Sequence, residues 1–226
     1  MKPVLLPVRA ALLAAIVSTL WCAATVRLPS AVNLCIITGG VLLTFLVVWI
    51  ASGVLDRHQT ERAAVRITTM VHVALGFTLG VPLVRATVTQ RDWSGWILPI
   101  PRPVGFALVV VTGTASLFTI ISLALKGLGA PFFIALSRRL TADWCYARTR
   151  NPMALAGLAF VCSLGIWFQS SLFVLWVLVL LAPALLTFIK VYEERELTLR
   201  FGDPYRQYRA RTPFLWPILR RPAPPS

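Results

Sequence analysis

Long apolar runs separated by short polar breaks dominate the chain. Four runs, at about Val8–Val26, Ala31–Leu55, Ile67–Val84 and Val104–Leu125, are each close to the roughly 20 residues a helix needs to cross a hydrocarbon core. A fifth, Met153–Ile189, is too long for one crossing and carries Gln169-Ser170-Ser171 in its middle, so it predicts a helical hairpin. The pattern therefore predicts six apolar helices. Val8–Val26 follows a Met-Lys-Pro start and ends near Cys22-Ala-Ala, as a signal peptide can. It is long enough to span, and a second run follows closely, so we read it as an uncleaved first helix. Gly39-Gly40 suits a close approach of neighbouring helices. From Arg85 to Pro103 the pattern breaks, with Asp92-Trp93-Ser94-Gly95-Trp96 and a proline-rich end predicting an interfacial loop.

Beyond Ile189 the last helix is expected to leave the membrane through Glu193–Arg200. Leu197 and Phe201 share an apolar face, and Gly202 closes the helix. Asp203-Pro204 has the form of a new start, Asp as N-cap and Pro at the first helical position, with Tyr205 and Tyr208 one turn apart. Pro213 and Pro217 end this segment, and a disordered tail is expected beyond.

Composition sharpens the class. The chain is 58% hydrophobic and only 13% charged, where a soluble domain carries about a quarter. Its net charge of +14 could suggest nucleic acid, but the basic residues sit at the ends of apolar runs, as membrane topology requires. With both termini on the cytoplasmic side, all but four (Arg27, Arg85, Arg91 and Arg102) of the 22 Lys and Arg residues fall on that side. The fold class is thus all-α: a polytopic integral membrane protein with a cytoplasmic C-terminal helical segment, expected in a bacterial inner membrane. Cys22, Cys35, Cys145 and Cys162 form no Cys-x-x-Cys pair, and His58 and His72 lie apart from any acidic cluster, so no metal site is expected. His72 reads as a helix-packing residue.

The candidate chemistry lies late in the chain. Asn151-Pro152 reads as a helix start whose free N–H groups attract anions, with Arg148 and Arg150 adding positive charge; an ordinary basic helix end would carry the same residues. Gly127-Leu-Gly129 permits close backbone approach, as a plain membrane-exit turn also does. Glu193-Glu194 can pair with arginines or hold a cationic ligand. Adjacent helical positions point about 100° apart, so both face one site only if it lies between them. The hairpin between the two clusters brings their ends together.

These pieces form a resemblance. Glu193 to Tyr208, reading Glu-Glu-Arg-Glu-Leu-Thr-Leu-Arg-Phe-Gly-Asp-Pro-Tyr-Arg-Gln-Tyr, resembles the C-terminal signature of the isoprenylcysteine carboxyl methyltransferase family. Arg150-Asn151-Pro152-Met153 resembles its Arg-His/Asn-Pro-Met motif, and Gly127 to Pro131 its bacterial Gly-x-Gly-Thr-Pro loop. Asn-Pro-Met and the Glu pair also occur in phosphatidylethanolamine methyltransferases. The resemblance implies S-adenosylmethionine bound at the cytoplasmic face and a lipophilic acceptor, an isoprenylcysteine-type carboxylate or a phospholipid amine, arriving from the bilayer. It implies cofactor binding by Gly127, Gly129, Tyr146, Arg150, Asn151, Pro152, Leu155, Glu193, Glu194 and Tyr205, with Glu194 and Arg209 as catalytic candidates. Arg206 and Arg211 are alternatives to Arg209 for orienting an acceptor. Residues 126–217 would be the cofactor-binding core, 1–125 four preceding spans, and 218–226 the tail. The family's tyrosine four residues after its Arg is Ala154 here, and its Gly-Pro-Tyr is Trp144-Cys145-Tyr146. These departures leave a catalytically inactive scaffold or lipid-binding relative as the alternative, with Trp144 filling the site.

Overall fold

The structure, a computed structural model, describes residues 5–93, 97–127 and 140–218. Among these the chain is all-helical, with no strand beyond one isolated bridge between Ile97 and Ser170. The helices are α1 (Leu5–Thr25), α2 (Ser30–Arg57), α3 (Glu61–Asp92), α4 (Arg102–Gly127), α5 (Pro152–Trp167), α6 (Ser171–Phe201) and α7 (Asp203–Arg211). Four of them, α2, α3, α4 and α6, are long and apolar enough to cross a membrane; the apolar parts of α1 and α5 are shorter. The six apolar helices follow the predicted order. The hairpin turns at the expected place: α5 ends at Trp167, Gln169 takes a positive φ of 59°, and Ser170 Oγ caps α6 by accepting the Phe173 N–H at 3.3 Å.

The third helix departs from expectation. It starts at Glu61, capped by Thr60, and runs through Arg85 to Asp92 instead of stopping at Val84. Arg85 is therefore no loop residue. It is 2% exposed, and its Nε donates to Asn33 Oδ1 at 2.9 Å while Nη1 donates to the carbonyls of Ala23 and Val26, each at 2.7 Å; Nη2 also reaches Asn33. Asn33 in turn donates to the Leu28 carbonyl. The carbonyls left over at the end of α1 need donors, and a cation at a helix C-terminus also meets the negative end of the dipole. A helix that continues through Arg85 places the guanidinium there.

Packing follows the small residues. A Cβ at Gly40 would lie 2.5 Å from Pro82 Cγ, so this glycine lets α2 and α3 touch, whereas Gly39 faces open space. A Cβ at Gly105 would lie 2.6 Å from the Trp167 backbone, so α4 lies directly along α5. One apolar cluster around Val41, Phe173 and Val177 joins α2 to α6 in the half away from the polar clusters. A second, around Leu55, Val71, Phe188 and Tyr192, joins α2, α3 and α6 in the other half. There Asp56, near the end of α2, meets Arg195 of α6 at 2.9 Å.

Gly202 ends α6 with φ of +58°, a value suited to glycine. It takes the cap position of α7, and Asp203 is not the N-cap: its carboxylate pairs with Arg206 instead, one turn on. The chain then doubles back. Arg150 N–H donates to the Pro213 carbonyl at 2.9 Å, and Ile218 N–H to the Arg148 carbonyl at 3.1 Å. The segment after α7 is thus a strap laid along residues 148–151.

Candidate functional site

A cavity of about 130 Å³ opens where the ends of α4 and α6, the start of α5, and α7 meet. Arg150, Asn151, Met153 and Ala154 form one wall, and Ile189, Glu193, Leu197 and Phe201 of α6 face them. Tyr205 and Tyr208 of α7, Tyr146, Leu123, Leu140 and Thr141 are the other described residues that line it. The two polar clusters, some forty residues apart in sequence, do meet.

The glutamate pair divides. Glu194 is buried and neutralised: Oε1 lies 2.6 Å from Arg150 Nη1, and Oε2 lies 3.2 Å from Lys190 Nζ, one turn earlier. Glu193 lines the cavity, and no ion pair or hydrogen bond engages its carboxylate among the described residues. The helical turn accounts for this division, since consecutive side chains diverge by about 100°. The stretch Phe188–Glu193 is also π-helical, which widens the turn and resets which face the following residues present. Of the two expected ligand contacts, Glu194 is thus held by cations, and Glu193 faces the open space. One turn further, Glu196 pairs with Arg200 at 2.9 Å in a buried contact, and the hydroxyls of Tyr192 and Thr68 share a 2.8 Å hydrogen bond that ties α6 to α3.

The opposite wall offers donors. Arg150 is 8% exposed at its side chain; its Nη1 is engaged by the Glu194 carboxylate at 2.6 Å, whereas its Nε has no hydrogen-bond partner among the described residues. Thr141 Oγ1, on the same cavity, is buried without a hydrogen-bond partner among the described residues. Asn151 sits at the cap position of α5, but its side chain does not cap: Nδ2 donates to the Phe214 carbonyl at 2.8 Å. The first-turn N–H groups at Met153 and Ala154 therefore keep their unfilled donor capacity beside the cavity. Buried polar groups are normally satisfied, so a set of orphans around one space points to a ligand.

The tyrosines stay neutral. Burial pushes the Tyr205 hydroxyl up to about 12 and raises Tyr146 and Tyr208 as well, so each remains a donor at physiological pH. Tyr208 uses its hydroxyl to hold the Tyr146 carbonyl at 2.7 Å, which fixes the short turn Trp144–Ala147 against α7.

Of the other candidates, Pro152 is buried at the first position of α5, and Leu155 is half-buried one turn in and does not line the cavity. Gly127 is the last residue of α4, and Gly129 and Pro131 lie outside the described residues. Arg209 is exposed, as are Arg206 and Arg211. The helical period that turns Tyr205 and Tyr208 inward turns the position after Tyr208 away, so none of these arginines reaches the cavity. Trp144 does not fill the site either. It is 51% exposed, has a φ of 54°, and stacks on Phe118 of α4 with ring centroids 6.0 Å apart, while Ala154 stands on the cavity wall.

Sequence reasoning passed over Lys190, Thr141 and Phe214. The i,i+4 spacing of Lys190 and Glu194 was a visible signal for the first. Nothing local marked the other two. The Phe214 ring lies 5.7 Å from the Arg150 guanidinium carbon and 5.0 Å from Lys190 Nζ.

Residues 101–203 match the family model described as phospholipid methyltransferase. This agrees with the resemblance to membrane methyltransferases of the phosphatidylethanolamine and isoprenylcysteine type, a family associated with methyl transfer to lipid-type acceptors. The match runs from the start of α4 to the first residue of α7 and includes every acidic and basic group on the cavity wall. No curated protein and no solved structure matches the chain.

Proposed function

Taking residues 101–203 as a phospholipid methyltransferase family segment, we propose that this integral membrane protein transfers a methyl group from S-adenosylmethionine to a lipophilic acceptor at the cytoplasmic face. The observation that carries the reading is the cavity's unfinished polarity. A lone carboxylate, Glu193, lines the cavity together with two buried polar atoms that have no hydrogen-bond partner among the described residues, Arg150 Nε and Thr141 Oγ1. The cofactor carries both kinds of complement: a carboxylate for Arg150, Thr141 and the first turn of α5, and an ammonium and a sulfonium for Glu193. When bound, it supplies an electrophilic methyl group.

The chain's own work is to bind, orient and exclude water. Glu194, held by Arg150 and Lys190, fixes the guanidinium on the cavity wall. Asn151 anchors the wall to the strap. Leu197, Phe201, Met153 and Leu123 supply apolar surface that keeps water from a cationic group and suits a lipidic acceptor. Alignment in a dry site is what such a transfer requires, with no covalent enzyme intermediate. The unit proposed over residues 126–217 uses Leu123 of α4 as an added wall. The acceptor, an isoprenylcysteine-type carboxylate or a phospholipid amine, enters from the bilayer.

Calorimetric titration of the purified protein with S-adenosylmethionine tests this directly. The parent is expected to bind. Glu193→Gln is expected to bind about ten- to a hundredfold more weakly, the value of one lost charged contact. No heat with the folded parent refutes the reading. Orientation is tested separately: a cysteine at Arg62 is expected to be shielded from an impermeant reagent added outside intact cells, and one at Arg102 to be labelled. Equal labelling would contradict cytoplasmic termini.

A further inference from the structure

Phe214 touches both the anchor and the cations of the site. Its carbonyl oxygen accepts the Asn151 amide at 2.8 Å and the Thr149 hydroxyl at 3.3 Å. Its ring lies under Arg150 and Lys190 together. Those are the two partners of Glu194. The strap that carries Phe214 is tied down on both sides, by Pro213 to Arg150, by Leu215 to Thr149 and by Ile218 to Arg148.

We propose that Phe214 is a positioning residue of this site: its ring holds the Arg150 and Lys190 cations around Glu194, so that Glu193 alone stays open to a ligand. Two cations converging on one carboxylate repel each other, and a side chain as long as lysine does not stay put without a second contact. Lys190 is 57% exposed at its side chain and pairs with Glu194, so the negative face of the ring supplies that second contact. If Lys190 leaves, Arg150 must neutralise Glu194 alone, and it becomes less free to meet an anion from the cavity. An aliphatic residue at 214 would keep the strap's backbone bonds and its apolar packing but not this electrostatic hold. The functional arm of the inference rests on the cofactor reading above; the positional arm does not.

Lysine reactivity separates the two arms. The chain has three lysines, Lys2, Lys126 and Lys190, so acetylation by a water-soluble succinimidyl acetate can be followed at each by mass spectrometry. The full chain, Phe214→Leu and Phe214→Trp are compared in detergent, with thermal unfolding and S-adenosylmethionine titration on the same samples. Phe214→Leu is expected to raise Lys190 acetylation relative to Lys126 by about two- to tenfold, the range a cation–π contact allows, and to weaken cofactor binding by a similar factor. Phe214→Trp, with a stronger π face, is expected to restore the parent's labelling. An unchanged Lys190-to-Lys126 ratio in folded Phe214→Leu overturns the proposal, even if its unfolding temperature falls, because that is what a merely structural ring would give. If Phe214→Leu does not fold, faster Lys190 labelling in Phe214→Trp than in the parent overturns it, and labelling at or below the parent's supports it. Labelling that changes as expected in proteins that bind no S-adenosylmethionine supports the positioning role and sinks the cofactor reading instead.

Discussion

Two buried arginines stand at opposite ends of the helical bundle. Arg85, inside α3, donates through Nε, Nη1 and Nη2 to Asn33 and to two carbonyls at the end of α1. Arg150, before α5, has its Nη1 held by a carboxylate at 2.6 Å but leaves Nε without a hydrogen bond among the described residues, and it borders a cavity. Both side chains are largely withdrawn from solvent; they differ in how far the chain itself engages their nitrogens. A buried cation whose donors are filled by its own chain holds helices together. One with a donor left open beside a cavity faces a space that a ligand can fill, since an unsatisfied buried donor is costly. The same contrast separates Glu196, paired with Arg200 in the helix interior, from Glu193 on the cavity wall.

The largest effect expected from this contrast is at Arg85. Replacing it with leucine strands Asn33 Oδ1 and the carbonyls of Ala23 and Val26, at about 1–3 kcal/mol for each buried group left unpaired. Thermal unfolding in detergent should show a loss of at least about 3 kcal/mol, with cofactor affinity of the folded fraction unchanged. A mild loss would mean that the knot is not what ties α1 to α2 and α3.

Arg150→Met should behave the other way round. Glu194 keeps Lys190 as a partner, so stability should fall less than in Arg85→Leu. S-adenosylmethionine affinity should drop by about ten- to a hundredfold, the range for a lost hydrogen bond to a charged group. If the two variants lose stability equally and neither loses affinity, the distinction between finished and unfinished arginines fails.

Ala154→Tyr is the smallest change and the most diagnostic of how open the site is. The position lines the cavity, and Trp144 does not occupy it. The added ring should leave the unfolding temperature within a few degrees and tighten cofactor binding by about two- to tenfold, the worth of one aromatic contact. A loss of about 1–3 kcal/mol, as overpacking gives, would show a site with no room for it and favour an inactive relative.

Several features were legible along the chain. The six apolar runs, the hairpin turn at Gln169–Ser171, the exit of α6 past Glu193 and its stop at Gly202 all depend on local properties. Run length against bilayer thickness, and the backbone freedom of glycine, can be read residue by residue. The meeting of Arg150-Asn151 with the glutamate pair followed from the hairpin alone. The end of α3 is not legible in the same way, because a charged residue in an apolar run looks like a boundary. Arg85 stays inside the helix only because carbonyls from α1 and the Asn33 side chain, more than fifty residues earlier, are there to receive it.

The tertiary structure alone decided which glutamate faces the cavity, that Asn151 anchors a strap rather than capping α5, that Arg209 points away, and that Phe214 lies under two cations. Each depends on a phase or a contact that composition does not carry. A π-helical stretch between Phe188 and Glu193 changes the face that follows it, and the strap returns across more than sixty residues to bond with Arg148–Asn151. Hydrophobicity places helices in a membrane because it is summed over many residues. A polar site is fixed by single hydrogen bonds and ion pairs between distant segments, and those exist only once the helices have packed.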